Sequence, residues 1–125
     1  MKFIDLNKQY DIIKNDLNRD VLDTLHNGDF ILGQKVFDLE EKLAKYVGVK
    51  HCVTCANGTD ALLIPLMAKN IGAGDAVFTT NFSYFATTEV ISLAGATPVF
   101  VDIDKKTFNI DPDLLELQII KTLSE

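Results

Sequence analysis

From Val49 to Val101 short apolar runs alternate with helix-patterned stretches, and glycine marks several of the changes. Val49 to Thr54, Ala76 to Thr80 and Thr97 to Val101 read as strands. Thr59 to Asn70 and Phe85 to Ala94 read as helices. Gly72-Ala73-Gly74-Asp75 supplies a turn, and Gly95 closes the second helix. This alternation predicts a β-α-β-α-β unit whose right-handed crossovers leave neighbouring strands parallel. The third run is almost wholly apolar, as expected of a strand covered on both faces. The fold class is α/β. Three strands with two edges are fewer than a free-standing doubly wound domain carries.

Two helices precede this unit. Over Lys8 to His26, the residues Ile13, Leu17, Val21 and Leu25 recur every four positions and form one stripe. Gly28 is placed to close that helix in the left-handed conformation, and His26 lies in its last turn, where a cation is favoured. Phe30-Ile31-Leu32-Gly33 reads as a short apolar loop. Gln34 to Val47 then carries Val36, Leu39, Leu43 and Tyr46 at the spacing of a buried helical face, with Gly48 as terminator. At the other end, Asp111 caps a last helix with Pro112 at its first position. Pro65 sits inside the helix that begins near Thr59. There it removes a hydrogen bond and is expected to kink the helix, at about 3 kcal/mol.

Composition removes several function classes. The net charge is -6 and the pI about 4.8. A nucleic-acid binder needs the opposite balance to displace counterions. No apolar run reaches the roughly 20 residues of a membrane span, and the start of the chain has no signal-peptide pattern. The expectation is a soluble cytoplasmic protein. Cys52 and Cys55 fit a reducing compartment, and odd spacing along a strand would point them to opposite faces. With His51 they supply neither the count nor the paired spacing of a structural zinc site. A C-x-x-C redox site would stand at a helix N-terminus, whereas Cys52 is assigned to a strand. Asp102 and Asp104 read as a solvated turn rather than a metal site. No metal is expected.

Chemistry concentrates in two places. Asn57-Gly58-Thr59-Asp60 lies between a strand and a helix. A helix N-terminus offers unpaired N–H groups and the positive end of the macrodipole. Gly58 allows an anion close to the backbone, and Thr59 adds a hydroxyl. The segment can grip a phosphate, or Thr59 can simply cap its helix. No P-loop or G-x-G-x-x-G dinucleotide fingerprint is present. The second place is Asn81-Phe82-Ser83-Tyr84-Phe85-Ala86-Thr87, after the second strand. It falls at the C-terminal sheet edge, where open α/β sheets bind ligands. Tyr84 there can cover the face of a flat ring, or it can be an ordinary core aromatic. Phe82 and Phe85 read as core.

These segments, in order, resemble the DegT/DnrJ/EryC1/StrS family of pyridoxal-phosphate (PLP) aminotransferases acting on nucleotide-linked keto-sugars. The resemblance runs from Phe3 to about Leu115. It also includes Phe3-Ile4-Asp5-Leu6, Leu39-Glu40-Glu41-Lys42-Leu43-Ala44, and Gly95-Ala96-Thr97-Pro98-Val99-Phe100-Val101-Asp102-Ile103-Asp104. Cys55 to Leu62 is most similar to members that aminate UDP-linked 3-keto sugars, including uronates. The resemblance implies the N-terminal part of a fold-type-I aminotransferase. Residues 1–125 would be one incomplete domain, with a helical segment over 1–48 and part of a large PLP-binding domain over 49–125. It implies Gly58 and Thr59 on the cofactor phosphate, Tyr84 on its pyridine ring, and Phe30 and Ile31 near the sugar. L-glutamate would be the amino donor and a homodimer the complete assembly, in surface-polysaccharide or glycan precursor biosynthesis. The family's Schiff-base lysine and pyridinium-pairing aspartate lie in segments not present here. None of the eleven lysines shows the buried setting that depresses an amine pKa. The chain therefore reads as a truncated or fragmentary copy, inactive alone and with weak cofactor binding at most. The alternative is a non-catalytic stub that partners a complete homologue.

Overall fold

The computed structural model describes residues 3–124. The chain divides into two compact units, residues 1–54 and 55–125.

The first unit holds α1 (Leu6–Asn27) and α2 (Gln34–Val47). The Asp5 carboxylate accepts from the Lys8 N–H and starts α1, as an N-cap aspartate does. Gly28 (φ 68°) and Gly48 (φ 77°) close the two helices in the left-handed conformation, and each N–H reaches back to a carbonyl of the last turn. The apolar stripes of both helices form as expected, but this chain leaves them largely in the open. No described residue of α1 is buried, and in α2 only Ala44 is. Tyr46, expected on a buried face, is 89% exposed.

Between the helices the chain turns tightly. The Asp29 carboxylate accepts from the Gln34 N–H (3.1 Å), supplying one of the acceptors that the first turn of α2 lacks. Gly33 is buried in this turn. A Cβ there would lie 2.6 Å from Asp29 Cγ and 2.7 Å from the Asp29 carbonyl oxygen. One of these atoms is backbone, so a rotamer change cannot relieve the clash. Gly33→Ala is expected to destabilise the first unit by about 1–3 kcal/mol, as overpacking does. Chemical denaturation followed by helical circular dichroism checks this, and an unchanged midpoint would contradict the geometry.

The second unit contains α3 (Gly58–Ala68), β1 (Ala76–Thr79), α4 (Ala86–Leu93), β2 (Thr97–Phe100) and α5 (Pro112–Leu123). β1 and β2 pair in parallel with Ala76 opposite Thr97 and Thr79 opposite Phe100. Parallel pairing requires a crossover, and α4 provides it. α4 packs on both strands and on α3. Its Ala86, Val90 and Ile91 form the core of this unit with Ala96 and Val101. Pro98 lacks an N–H and lies in a strand with a free edge, where proline is tolerated. α3 runs through Pro65 without ending there. The Asp111 carboxylate accepts from the Asp113 and Leu114 N–H groups to cap α5, with Pro112 in its first turn.

Two expectations about the sheet are corrected. Val49 to Thr54 forms no strand, so the sheet has two strands rather than three among the described residues. The groups that a ladder would use go elsewhere. The Val49 N–H bonds to the Ala44 carbonyl, and the Thr54 N–H to the Glu40 carboxylate. The strand-alternation argument for separating Cys52 from Cys55 falls with that strand, although both cysteines are free. The second correction concerns β2, which is not covered on both faces in this chain. Thr97 is exposed and Phe100 is 51% exposed.

Candidate functional site

The turn before α3 is built by Asn57. Its backbone is extended (φ -163°, ψ 175°), and its Oδ1 accepts from the Asp60 N–H at 2.9 Å. Its Nδ2 donates to Asp60 Oδ2 at 3.1 Å, so the two side chains hold each other. The Asn57 carbonyl accepts from the Ala61 N–H and from Cys55 Sγ. Asn57, not Thr59, is therefore the cap. The Thr59 hydroxyl makes no capping bond. Among the described residues, the N–H groups of Gly58 and Thr59 and the Thr59 hydroxyl have no hydrogen-bond partner. A Cβ built on Gly58 meets nothing within 4 Å. The glycine is thus not required by contacts within the chain. It leaves an open approach to two unpaired donors at the positive end of a helix. A phosphate group fits this donor set.

Tyr84 lies between β1 and α4. It is 81% exposed and lines a hollow of about 310 Å³ with Thr80, Asn81, Ser83, Phe85, Thr88 and Phe100. Thr80 follows β1 and Phe100 ends β2, so the hollow is at the carboxyl edge of the sheet. The loop is held by hydroxyls. The Phe82 N–H donates to Thr80 Oγ1 at 3.0 Å, and Ser83 Oγ and Thr87 Oγ1 share a hydrogen bond at 3.0 Å. The Phe82 ring stacks on Phe108 with centroids 5.6 Å apart. Phe82 is 60% exposed and Phe85 73%, so neither is the core residue that the sequence suggested. Gly58 and Thr59 do not line this hollow. The Thr80–Phe82 and Ser83–Thr87 bonds carry no mark in the sequence, since isolated hydroxyl residues after a strand are common in any loop.

In the first unit, Phe30 and Ile31 lie in the loop between α1 and α2, both exposed. Leu32 has φ 49°, uncommon for a branched side chain. Phe30 borders an apolar hollow of about 290 Å³ with Val21, Thr24 and Leu25, and the exposed Lys35–Asp20 ion pair (3.2 Å) stands at its rim.

Two carboxylates are held below their ordinary range. For Glu40 the cause is the Thr54 N–H, then the Thr54 hydroxyl. For Asp104 it is the Thr107 N–H, then the Thr107 side chain and the Lys106 N–H. Asp104 thus organises a turn, as expected. No group of three or more metal-ligating side chains occurs among the described residues, and no described helix is long and apolar enough to cross a membrane.

Parallel strands joined by a crossover helix, with a further helix starting just after residue 57, define a piece of an α/β domain. The chain belongs to the DegT/DnrJ/EryC1/StrS aminotransferase family, whose pattern matches residues 11–123. It is 50% identical over 119 residues to UDP-2-acetamido-2-deoxy-3-oxo-D-glucuronate aminotransferase of Pseudomonas aeruginosa, covering 95% of this chain and 33% of that protein. It is 40% identical over 117 residues to dTDP-3-amino-3,6-dideoxy-alpha-D-galactopyranose transaminase of Aneurinibacillus thermoaerophilus, covering 94% and 32%. The crystal structure of a DegT DnrJ EryC1 StrS aminotransferase from Brucella abortus superimposes with a TM-score of 0.93 at 47% identity, covering 99% of this chain and 33% of that one. The chain spans about a third of the length of the relatives that it matches. The fold is that of the N-terminal part of the PLP aminotransferases.

Proposed function

We propose that this chain supplies the phosphate-gripping turn and ring-covering tyrosine of a PLP-dependent sugar aminotransferase. The observation that carries the reading is the open N-terminus of α3, with the unpaired Gly58 and Thr59 N–H groups, the free Thr59 hydroxyl, and no atom where a Gly58 Cβ would stand. These three donors would hold the cofactor phosphate, and Tyr84 would cover the pyridine ring and keep water from it. When bound, the cofactor supplies the electron sink for moving an amino group. Phe30 and Ile31 offer apolar contact to the substrate. The names of the relatives favour a nucleotide-linked keto-sugar as acceptor, and one relative named for spore coat polysaccharide biosynthesis favours a place in surface-polysaccharide or glycan precursor synthesis. L-glutamate as donor, a homodimer as the complete assembly and the cytoplasm as the compartment complete the proposal.

The test separates the glycine's structural role from its binding role. With open space around it and no left-handed φ, Gly58→Ala is expected to leave stability unchanged or raise it by about 0.4–1 kcal/mol. Inorganic phosphate and PLP are added to the chain at low micromolar concentration, and hydrogen exchange of the peptide spanning residues 57–61 is followed by mass spectrometry. Wild type gains protection with both ligands. In Gly58→Ala the N–H remains but the added methyl stands in the phosphate's approach, and the affinity falls about tenfold, equivalent to roughly one hydrogen bond to a charged group. Equal affinity in both proteins would reject the turn as the phosphate site.

A second reading is a non-catalytic stub that pairs with a complete homologue. The wide apolar exposure of α1, α2 and β2 favours it. Binding of a complete homologue without protection of residues 57–61 by phosphate would select it.

A further inference from the structure

One carboxylate oxygen in the first unit serves two donors of a single residue. Glu40 Oε1 accepts from the Thr54 N–H and from the Thr54 hydroxyl, each at 2.8 Å. The partners are fourteen positions apart, so the clasp is a tertiary contact rather than a local turn, and it is partly buried. Hydrogen bonds to an ionised acceptor are about twice as strong as neutral ones. Glu41, Lys45, Lys50 and His51 line the hollow beside Glu40, yet no described cation makes an ion pair with it. Its charge is directed at Thr54 alone.

The place of Thr54 in the chain gives the clasp its consequence. Residues 49–54 have no ladder partner among the described residues, so the clasp anchors the end of an otherwise loosely held segment. Only Cys55 and Ala56 then separate Thr54 from Asn57, the cap of α3. A turn that binds through backbone N–H groups must already be ordered, because ordering it on binding weakens the affinity. We propose that Glu40 is a positioning residue for the Gly58–Thr59 turn, holding the residue from which that turn departs. The value of such positioning rests on the phosphate-binding reading above, but the ordering of the turn does not require a ligand. Since the folded carboxyl is held below its ordinary value, the clasp is complete above that ordinary value. It is lost as pH falls through the lowered one.

Hydrogen exchange by mass spectrometry on the 125-residue chain tests this with Glu40→Ala, Glu40→Gln and Thr54→Val. Without ligand, Glu40→Ala is expected to speed exchange in peptides spanning residues 54–61 by about tenfold. Glu40→Gln keeps an acceptor oxygen and Thr54→Val keeps the amide donor, so both give smaller changes and guard against a misfolded alanine variant. The ratio of wild-type to Glu40→Gln exchange should collapse toward one as pH falls below the ordinary carboxylate range. With inorganic phosphate, affinity in Glu40→Ala should fall about tenfold relative to wild type. Faster exchange confined to Thr54, with residues 57–61 and the phosphate affinity unmoved, would overturn the proposal and leave Glu40 a local fastener. A ratio that does not change with pH would also overturn it. If wild type binds no phosphate, the phosphate-site reading fails, while the ligand-free comparison still decides the role of Glu40.

Discussion

In dilute buffer near neutral pH, the isolated 125-residue chain is expected to self-associate or to seek a partner. Its stability is expected to lie below the roughly 5–15 kcal/mol of ordinary domains. The chain exposes 10478 Å². A compact monomer of its 13.9 kDa mass exposes about 6,700 Å², and even two separately compact units of its size would expose about 8,000 Å². Many large apolar side chains are among the exposed residues. Among the described residues, the buried hydrophobic side chains are Ala44, Ala86, Val90, Ile91, Ala96 and Val101, three of them alanines that contribute little area. Against these stand exposed Leu17, Val21, Leu25, Phe37, Leu62, Phe85, Phe100 and Leu117, among others. Both strands of the two-stranded sheet present an unpaired edge. Free edges beside apolar patches promote association, and a net charge of -6 offers limited repulsion. Light scattering with chemical denaturation decides the matter. A soluble monomer unfolding cooperatively with ordinary stability would show that this surface is tolerated and the expectation is wrong.

The helices were legible because their signals are local. Gly28, Gly48, Asp111 and Pro112 each act within one turn of their own position, and α2 falls on the expected Gln34–Val47. The strand over 49–54 was misread because an apolar run states only that a segment can pair. Whether it does depends on a partner elsewhere, and here the Thr54 N–H meets Glu40 instead. The same limit explains Tyr46 and β2. Periodicity shows which side of an element is apolar, and it does not show whether anything covers that side.

At the candidate site, the turn before α3 was legible because Asn57 and Gly58 stand directly ahead of a helical stretch, although the strand expected before them does not form. The choice of cap was not. Asn57 and Thr59 both suit capping, and only the backbone shows that Asn57 takes the task and frees Thr59. The Glu40–Thr54 clasp was invisible for a different reason. A glutamate on an exposed-looking helix carries no mark of a partner fourteen residues on. The hydroxyls around Tyr84 belong to the same class of contact, since Thr80, Ser83 and Thr87 gain meaning only when the loop folds back on itself.

Mixed with PLP, L-glutamate and a UDP-linked 3-keto sugar, the isolated chain is expected to turn over no faster than the free cofactor. An amine that attacks the cofactor's carbonyl must first lose its proton, and enzymes arrange this by burying the lysine or setting a cation beside it. Each of the ten described lysines, from Lys8 to Lys121, is exposed. Lys14 and Lys35 are engaged in ion pairs with Asp11 and Asp20, each at 3.2 Å. Any covalent capture of the cofactor should therefore spread over several surface lysines rather than select one. Borohydride reduction followed by peptide mapping reads that distribution directly, and an amino-acid assay reads the turnover. The cofactor contacts proposed at the α3 turn and Tyr84 include no described amine. A single dominant lysine in the peptide map, or turnover that Gly58→Ala abolishes, would show that this chain assembles a reactive centre from its own residues.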